Sequence, residues 1–368
     1  MQLEELQTPC LVLDRGKLEG NLKRMSAAMH RHGVSLRPHL KTAKSADVAR
    51  LATAGEAGGI TVSTLAEAEY FAERGFRDIT LAAGITPQKL DRVAALLNRG
   101  VAMKVITDDA ATAKAITAYP AAVKVLIEID SGESRGGVRP DGNDLLEIGS
   151  VLGEKLTGVL THAGHSYECR TVAEIREVAE QERNAVVTAA GRLRAAGMRC
   201  EVVSVGSTPT MSHVERLDGV TEARPGVYMF GDLFQAAIES CTRDDIAVTV
   251  LASVIGRRPS ENRIVLDAGA LALSKDRSTA STRYDAGFGV VWDIDAKSAF
   301  GECVIESAYQ EHGVATADRT LPFDSLPVGT KVRVAPNHSC LTAAAHDRYY
   351  VVDGSREVIA EWDRVNGW

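Results

Sequence analysis

The stretch Ser35-Leu-Arg-Pro-His-Leu-Lys41 is the first of eight short strand-like segments that recur between residues 35 and 230. Each segment is followed by a stretch with helical periodicity, and this alternation is typical of βα units around a parallel sheet. Eight such strands close a barrel, so the pattern predicts an α/β fold with a (β/α)8 barrel. The predicted strands are Ser35–Lys41, Gly59–Ser63, Asp78–Ala82, Val101–Ile106, Ala122–Glu128, Leu156–His162, Glu201–Val205 and Glu222–Tyr228.

After about residue 240 the chain changes to alternating segments that are punctuated by Gly and Pro and show few helical stripes. This pattern predicts a second, all-β domain. Its clearest segments are Ile246–Ile255, Arg263–Leu266, Lys331–Val334 and Tyr349–Val352. Pro9–Asp14 is also strand-like and is expected to pair with that domain. We therefore expect a barrel domain of residues 15–240 and a β domain of residues 241–368 together with 1–14.

The composition is that of an ordinary globular chain, with 45% hydrophobic and 25% charged residues among 368. The formal net charge of -7 leaves no basic excess, so we expect no nucleic-acid partner. The N-terminal segment has no basic stretch before an apolar run, and no stretch approaches the ~20 apolar residues of a membrane span. Six scattered cysteines indicate reduced thiols, and we expect a cytoplasmic protein without a membrane partner.

Lys41 lies where the first predicted strand ends. Active sites of (β/α)8 barrels are assembled at the C-terminal ends of the strands. A lysine at that end can be desolvated, which lowers its pKa and makes its amine a usable nucleophile. The alternative is that Lys41 only solvates a loop, and spacing alone does not decide between the two. Lys44 is expected on the first helical turn and exposed.

A second motif, Ser204-Val-Gly-Ser-Thr-Pro-Thr210, ends the seventh predicted strand, and Arg224-Pro-Gly-Val-Tyr228 lies on the eighth. Backbone amides of a Gly-Ser-Thr turn can hold a phosphate, because glycine allows close approach and the hydroxyls add donors. An ordinary turn is the alternative. The position favours phosphate binding, since the loops after strands seven and eight of such barrels often bind phosphate.

Polar side chains also follow the fifth and sixth predicted strands. Thr161-His-Ala-Gly-His-Ser-Tyr167 ends the sixth strand, and Glu128-Ile-Asp-Ser-Gly-Glu-Ser-Arg135 ends the fifth. This places His162, His165, Tyr167 and Arg135 around one mouth. Each residue alone is more often structural, but four convergent polar groups favour a site.

A fourth motif, Pro336-Asn-His-Ser-Cys340-Leu-Thr342, is expected at the end of a strand in the β domain. Residues i and i+2 of a strand share a face, so His338 and Cys340 could grip one ion, and this ligand pair suits zinc. The alternative is a buried cysteine beside a surface histidine. Two protein ligands would leave open positions, as catalytic metal sites require.

Together these motifs resemble the D-serine dehydratase and D-threonine aldolase family of fold-type III pyridoxal-phosphate enzymes. The resemblance covers essentially the whole chain and implies an alanine-racemase-like barrel followed by a C-terminal all-β domain with a metal site. The matching stretches are Thr8-Pro9, Arg37–Thr42, Gly59–Thr64, Thr161–Gly164, Val203–Thr210, Gly226–Tyr228, Asp267–Gly269, Gln310–Gly313, Pro336–Cys340 and Gly367-Trp368.

The resemblance also implies roles for individual residues. Lys41 would form the Schiff base with pyridoxal 5'-phosphate, and Arg135 would contact the cofactor ring or its 3-hydroxyl. The phosphate would lie on Gly206, Ser207, Thr208, Gly226 and Tyr228. His338 and Cys340 would bind a divalent metal, zinc in the first instance and manganese or magnesium as alternatives. We therefore expect Lys41, His338 and Cys340 to be catalytic. The expected cofactor-binding residues are Lys41, Arg135, Tyr167, Ser204, Gly206, Ser207, Thr208, Gly226 and Tyr228.

The reaction that the resemblance implies is dehydration of a D-3-hydroxy amino acid to a 2-oxo acid and ammonia. Lys41 would remove the α-proton, and zinc on the 3-hydroxyl would act as a Lewis acid. D-serine, D-threonine and D-threo-3-hydroxyaspartate all stay open as substrates. A second carboxylate could be met by any of Arg135, His162, His165, Tyr167 or Arg283.

Three alternatives remain. One is retro-aldol cleavage to glycine and an aldehyde, although the aldolase branch typically has aspartate where this chain has Cys340. A racemase would need a second acid or base on the opposite face of the substrate, for which Tyr284 is a candidate. A non-catalytic pyridoxal-phosphate carrier would normally lack the β domain. The resemblance also implies a homodimer.

Overall fold

The computed structural model of the chain describes residues 1–297 and 300–368. The chain forms two compact units, one of residues 1–22 with 227–364 and the other of residues 23–226 with 365–368. The assignment of domains to 15–240 and to 241–368 with 1–14 stays a prediction. Every helix in the described part of the chain is too short or too polar to traverse a lipid bilayer.

The chain begins with strand β1 (Cys10–Asp14), which leads directly into helix α1 (Arg15–Arg31). The apolar positions of α1 follow the 3.6-residue period, and Leu18, Leu22 and Met29 are buried. The boundary between the two compact units falls within this helix, after Leu22.

The larger unit contains a sheet of eight parallel strands, which confirms the predicted barrel architecture. The strands run in the order β2-β9-β8-β7-β6-β5-β4-β3, and a parallel bridge between His39 and Thr61 joins the two ends. The strands are β2 (Ser35–Leu36), β3 (Ile60–Val62), β4 (Asp78–Gly84), β5 (Ala102–Thr107), β6 (Lys124–Glu128), β7 (Leu156–Leu160), β8 (Val202–Val205) and β9 (Glu222–Ala223). The helices are α2 (Ala46–Ala52), α3 (Leu65–Glu73), α4 (Leu90–Asn98), α5 (Ala110–Ala118), α6 (Asn143–Leu152), α7 (Val172–Ala195) and α8 (Thr208–His213).

The first and eighth strands are much shorter than predicted, and proline accounts for both differences. Proline has no backbone N–H, so the ladder of β2 ends before Pro38 and that of β9 ends before Pro225. The chain nevertheless stays extended, because Thr61 N donates to Pro38 O (3.0 Å) and Leu40 N donates to Thr61 O (2.8 Å). Lys41 therefore lies in the turn beyond this closure, and its prediction as the last residue of a strand is wrong.

A buried ionic network lies where the barrel closes. The Arg37 side chain, only 4% exposed, donates from Nε to Glu222 (2.7 Å) and from both terminal nitrogens to Asp78 (3.1 and 2.8 Å). Lys104 completes the network with a 2.6 Å bond to Asp78. Arg37 thus joins β2 to β9 and to β4, across the seam of the barrel.

We expect Arg37→Met to lower the free energy of unfolding by about 3–5 kcal/mol, because it leaves the Glu222 carboxylate buried without its main cation. Chemical denaturation monitored by circular dichroism measures this. Arg139→Met is the matched control, since Arg139 pairs only with the exposed Asp141, and its effect should stay within about 0.5 kcal/mol. Equal stabilities of the two variants would contradict a supporting role for Arg37.

The smaller unit contains a nine-stranded sheet in the order β11-β14-β13-β12-β15-β10-β1-β16-β17, and a further β10–β11 pairing closes its first six strands into an antiparallel barrel. The strands are β10 (Val248–Arg258), β11 (Arg263–Leu266), β12 (Val290–Trp292), β13 (Cys303–Ala308), β14 (Gly313–Ala317), β15 (Lys331–Ala335), β16 (Arg348–Val352) and β17 (Ala360–Asp363). The helices are α9 (Leu233–Ala237), α10 (Ala270–Leu273) and α11 (Ser339–Ala344). The all-β prediction for this part of the chain is confirmed.

The N-terminal strand is an internal member of this sheet. β1 pairs antiparallel with β10, with Cys10 opposite Leu251, and parallel with β16, with Val12 opposite Tyr350. All five of its residues are buried, as expected of a strand with neighbours on both sides. The predicted pairing of Pro9–Asp14 with the β domain is therefore confirmed.

Candidate active site

The strand ends of the parallel barrel surround a small, partly open cavity of about 50 Å³. It is lined by His39, Lys41, Ala82, Ile106, Glu128, Arg135, Leu160, His162, Gly206 and Arg224. Three of the residues predicted for cofactor binding, Lys41, Arg135 and Gly206, thus share one cavity. Apolar side chains from β4, β5 and β7 form part of its wall beside the charged groups.

Lys41 is exposed, so the expected desolvation of its amine is not seen in the described chain. Its backbone N–H donates to Nδ1 of His39 at 3.4 Å. Lys44 differs from its prediction as well, because it precedes α2, has a positive φ of 49°, and is largely buried. Its Nζ lies 3.4 Å from Oε1 of Glu67. Only one of the two lysines therefore presents its amine to the cavity.

Two histidines on the cavity wall are held neutral. Burial and the nearby Lys41 amine lower the pKa of His162 to about 3 and lower the pKa of His39 well below its ordinary value. Nδ1 of His162 lies 2.9 Å from the carbonyl oxygen of Gly206. A carbonyl only accepts, so Nδ1 carries the proton and Nε2 keeps a lone pair. Both rings can take part in hydrogen bonding without adding positive charge.

Arg224 is a cavity residue that the sequence analysis did not select. Its guanidinium is buried and donates to Ser204 Oγ, to Val205 O (3.2 Å) and to Thr161 O. Its Nε has no hydrogen-bond partner within the described chain. The signal that could have identified it is the position of Arg224-Pro-Gly directly after the eighth strand.

Ser204 supports Arg224 and does not line the cavity. The hydroxyl is fully buried, donates to Oε1 of Glu222 at 2.7 Å and accepts from Arg224. The prediction that Ser204 binds the cofactor directly therefore has no geometric support in this chain. Its role in the structure is to hold the guanidinium in place.

The turn after β8 packs closely against the backbone of neighbouring segments. Gly206 has a φ of 143°, and a Cβ there would lie 2.5 Å from Arg224 N, so only glycine fits. A Cβ on Gly226 would lie 2.9 Å from His39 O. Ser207 then caps α8, its Oγ accepting from Thr210 N at 3.2 Å. Thr208 follows as the first helical residue and is buried.

Tyr228, which was also predicted to bind the phosphate, is buried on a single 3-10 turn, Val227–Met229, in the other compact unit.

The loop after β6 carries charges of both signs. Arg135 is exposed, and its Nη1 lies 3.2 Å from Oε1 of Glu133. Glu128 lines the cavity, where burial and the neighbouring Asp108 raise the pKa of its carboxyl group. The Tyr167 ring lies 6.5 Å from that of His162, behind the cavity wall. In the described chain His165 does not line the cavity, and both of its ring nitrogens lack partners.

His338 and Cys340 lie at the start of α11, so their predicted place on a strand is wrong. β15 ends at Ala335, His338 is the N-cap residue of α11, and Cys340 is its second residue. The two side chains still meet through a hydrogen bond, and Nδ1 of His338 lies 3.8 Å from Oδ2 of Asp276. Burial lowers the pKa of His338, but Asp276, Cys340 and Asp232 outweigh it and raise the pKa to about 11.

The buried residue Asp232 binds the backbone between His338 and Cys340. Asp232 caps α9, because its Oδ1 accepts from Gln235 N (2.7 Å). Its Oδ2 accepts from Ser339 N (3.0 Å). The backbone between the imidazole and the thiol is therefore fixed. Within residues 1–297 and 300–368, no group of three or more His, Cys, Asp or Glu is arranged to hold a metal. An ion here would have two protein donors and would take the others from solvent or substrate.

Tyr284 and Arg283 lie elsewhere in the smaller unit. The Tyr284 hydroxyl donates to Oε2 of Glu302, and the Arg243 guanidinium lies 4.5 Å from its ring centroid. Burial and Glu302 raise the pKa of Tyr284 to about 12. The hydroxyl proton of Tyr284 is therefore engaged in the hydrogen bond to the Glu302 carboxylate. Arg283 is exposed.

Comparison with known proteins places these features in a family. Residues 13–233 match the family model described as "Alanine racemase, N-terminal domain", and residues 247–352 match "Putative serine dehydratase domain". The D-threo-3-hydroxyaspartate dehydratase of Delftia sp. strain HT23 is 45% identical over 99% of this chain and 98% of that enzyme. Its structure superposes with a TM-score of 0.96 at 43% identity and covers both chains completely.

Two further relatives span the whole chain. The D-serine dehydratase of Dictyostelium discoideum is 30% identical over 100% of this chain and 98% of its own. The structure of D-threonine aldolase from Filomicrobium marinum has a TM-score of 0.84 at 26% identity, with 99% and 96% of the two chains covered. A cysteine-to-alanine mutant of a D-threo-3-hydroxyaspartate dehydratase, whose structure has a TM-score of 0.96 at 42% identity, is described as a metal-free form.

The barrel, the second β unit and the lysine cavity define the alanine-racemase class of fold. Within that class, the chain belongs to the D-serine dehydratase and D-threonine aldolase family of fold-type III pyridoxal-phosphate enzymes.

Proposed function

We propose that the barrel cavity binds pyridoxal 5'-phosphate. The wall residues Ala82, Ile106 and Leu160 suit a flat aromatic ring, and the buried, unpartnered Nε of Arg224 suits an acceptor atom on a ligand. Gly206 lines the cavity at the start of the Gly-Ser-Thr turn, which is the turn proposed for the phosphate. When bound, this cofactor supplies an electron sink for negative charge that develops on the α-carbon of an amino acid.

Within that proposal, Lys41 is the residue that bonds to the cofactor, since its amine opens on the cavity. Gly206, Ser207, Thr208 and Gly226 are proposed to hold the phosphate. Arg135, Tyr167 and Tyr228 remain proposed cofactor contacts. Ser204 is proposed to act only through Arg224.

We propose that the enzyme dehydrates D-3-hydroxy amino acids, with D-threo-3-hydroxyaspartate as the first substrate to test. The observation that carries this proposal is the 45% identity to the Delftia dehydratase over 99% of the chain. Lys41 removes the α-proton, because its amine opens on the cavity, whereas the lowered pKa values of His39 and His162 make these imidazoles poor proton acceptors. Departure of the 3-hydroxyl as water, followed by hydrolysis, gives a 2-oxo acid and ammonia.

We propose in addition that His338 and Cys340 hold a divalent metal, with zinc preferred because the ligands are an imidazole and a thiolate. The side chains already contact each other, and Asp276 beside His338 is the kind of carboxylate that orients metal-binding histidines. The description of the cysteine-to-alanine mutant of a D-threo-3-hydroxyaspartate dehydratase as metal-free also supports the proposal. When bound, the metal supplies a Lewis acid for a hydroxyl oxygen.

Product analysis tests the reaction. Purified enzyme is incubated with D-serine, D-threonine and D-threo-3-hydroxyaspartate, and ammonia, 2-oxo acids and glycine are quantified separately. Ammonia with an equal amount of 2-oxo acid supports dehydration. Glycine with an aldehyde would instead establish the aldolase reaction, which the similarity to the Filomicrobium aldolase keeps as the second candidate.

We expect Tyr284→Phe to leave ammonia release within about twofold of wild type. The Tyr284 hydroxyl is bound to Glu302 and its pKa of about 12 makes it a poor proton acceptor at neutral pH. Ammonia release is followed by a coupled assay, and α-proton exchange without elimination is followed by NMR in deuterated water. Exchange that stops in Tyr284→Phe would favour a racemase.

A homodimer is also proposed, from the family membership alone, and a cytoplasmic location is proposed from the six scattered cysteines. Light scattering of the purified protein at micromolar concentration gives its mass directly. A fully active monomer would contradict the dimer.

A further inference from the structure

A carboxylate behind the cavity joins the ends of two strands. Glu182 lies on α7 and is fully buried. Its Oε1 accepts from the backbone N–H groups of Gly206 (2.9 Å), which directly follows β8, and of Ala163 (3.1 Å), three residues beyond the end of β7. Oε2 has no hydrogen-bond partner among the described residues.

These contacts close a ring of hydrogen bonds with the cavity histidine. Both backbone polar groups of Gly206 are bound, its N–H by Glu182 and its carbonyl oxygen by Nδ1 of His162. Ala163, the residue after His162, is bound by the same Glu182 oxygen. The positions of the glycine turn and of the imidazole are therefore not independent, and Glu182 is the group they share.

Burial of the Glu182 carboxyl group costs desolvation free energy, so its presence at this position needs a structural reason. Burial raises the pKa of Glu182, and the two amides and Thr210 only partly offset that effect. A hydrophobic side chain would fill the space without the desolvation penalty, but it would leave two buried N–H groups unpaired. The carboxylate at this position therefore serves the two N–H groups, of Gly206 and Ala163, that a hydrophobic side chain would leave unpaired.

We propose that Glu182 is a positioning residue that sets both the phosphate turn at Gly206 and the tautomer of His162. Glu182 holds the N–H of Gly206, and the carbonyl oxygen of the same residue accepts from Nδ1 of His162, which keeps the proton there and leaves the lone pair on Nε2. This inference rests on the proposed cofactor for its first half. The tautomer half stands on the protein alone.

The test compares Glu182→Ala, Glu182→Gln and Leu193→Ala. Glutamine keeps an oxygen for the two amides, whereas alanine removes it. Leu193 is a buried residue on the same helix beside Gly149, so its truncation destabilises α7 away from the strand ends. Fluorescence titration of each cofactor-free protein with pyridoxal 5'-phosphate gives the affinity, and NMR of protein labelled with 15N-histidine gives the tautomer of His162, assigned by its loss in His162→Asn.

We expect Glu182→Ala to bind the cofactor about tenfold or more weakly, and the Nδ1–H form of His162 to be lost. Glu182→Gln should restore both properties, and Leu193→Ala should change neither. Unchanged affinity and tautomer in Glu182→Ala would overturn the inference, as would losses of equal size in Leu193→Ala. Wild-type protein that binds no cofactor at Lys41 would instead reject the proposed function, while the tautomer measurement would still decide the role of Glu182.

Discussion

Lys41→Ala is expected to lower kcat by at least about 10³-fold and to abolish covalent labelling of the protein by the cofactor after borohydride reduction. The variant loses the general base, which alone contributes about 10²–10⁴-fold, and also the amine that bonds to the cofactor. Wild-type protein should be yellow and should yield one labelled peptide containing Lys41. Mass spectrometry of the reduced, digested protein measures the label, and ammonia release measures turnover.

Lys44→Ala is the matched control, because Lys44 lies three residues away but pairs with Glu67 instead of lining the cavity. It should keep its label on Lys41. A label on Lys44 in the Lys41→Ala protein, with activity retained, would show that the cofactor bonds to a different lysine than the cavity geometry indicates.

Removal of the metal is expected to reduce ammonia release by at least about 10²-fold while the cofactor stays covalently bound. A Lewis acid on the leaving oxygen contributes several kcal/mol in the transition state, whereas cofactor attachment depends on Lys41. Dialysis against a chelator, elemental analysis and the borohydride label separate the two effects. Zinc should restore activity best, because a thiolate is a soft ligand.

Variants of the same pair sharpen the metal experiment. His338→Ala should lose turnover as the chelated enzyme does, and Cys340→Asp should shift the preference toward harder ions such as manganese. Cys241→Ala is the control, since Cys241 is a half-buried thiol of the same unit that lies outside the pair. Protein verified to be metal-free that still released ammonia at full rate would return His338 and Cys340 to structural roles.

The sequence predicted well those features that repeat along the chain. All eight predicted parallel strands are present. Each was visible because a short apolar segment followed by a stretch with helical periodicity is a local signal in the sequence. The two strands that are shorter than predicted by five residues are those in which proline ends the ladder but not the extended path, at Pro38 and Pro225, whereas the other strands differ by two residues or fewer. The His-x-Cys pair was found for the wrong geometric reason, since a helix start also brings the two side chains together.

The residues that were missed depend on contacts between distant parts of the chain. The position of Arg224 at the cavity depends on its hydrogen bonds to Ser204 and Thr161. The position of Glu182 depends on its hydrogen bonds with Gly206 and Ala163. None of these pairs forms a spacing motif, and a glutamate within a long helix normally indicates a solvated face. Such positions become visible only once the strand ends are placed in space.

The internal place of β1 has a consequence for synthesis of the protein. Residues 10–14 leave the ribosome well before their partners, which are residues 248–251 and 350–352. The intervening residues 23–226 form a unit with its own sheet and can fold while β1 is still unpaired. β1 therefore pairs late relative to its synthesis, which makes its unpaired backbone a vulnerable feature of the nascent chain.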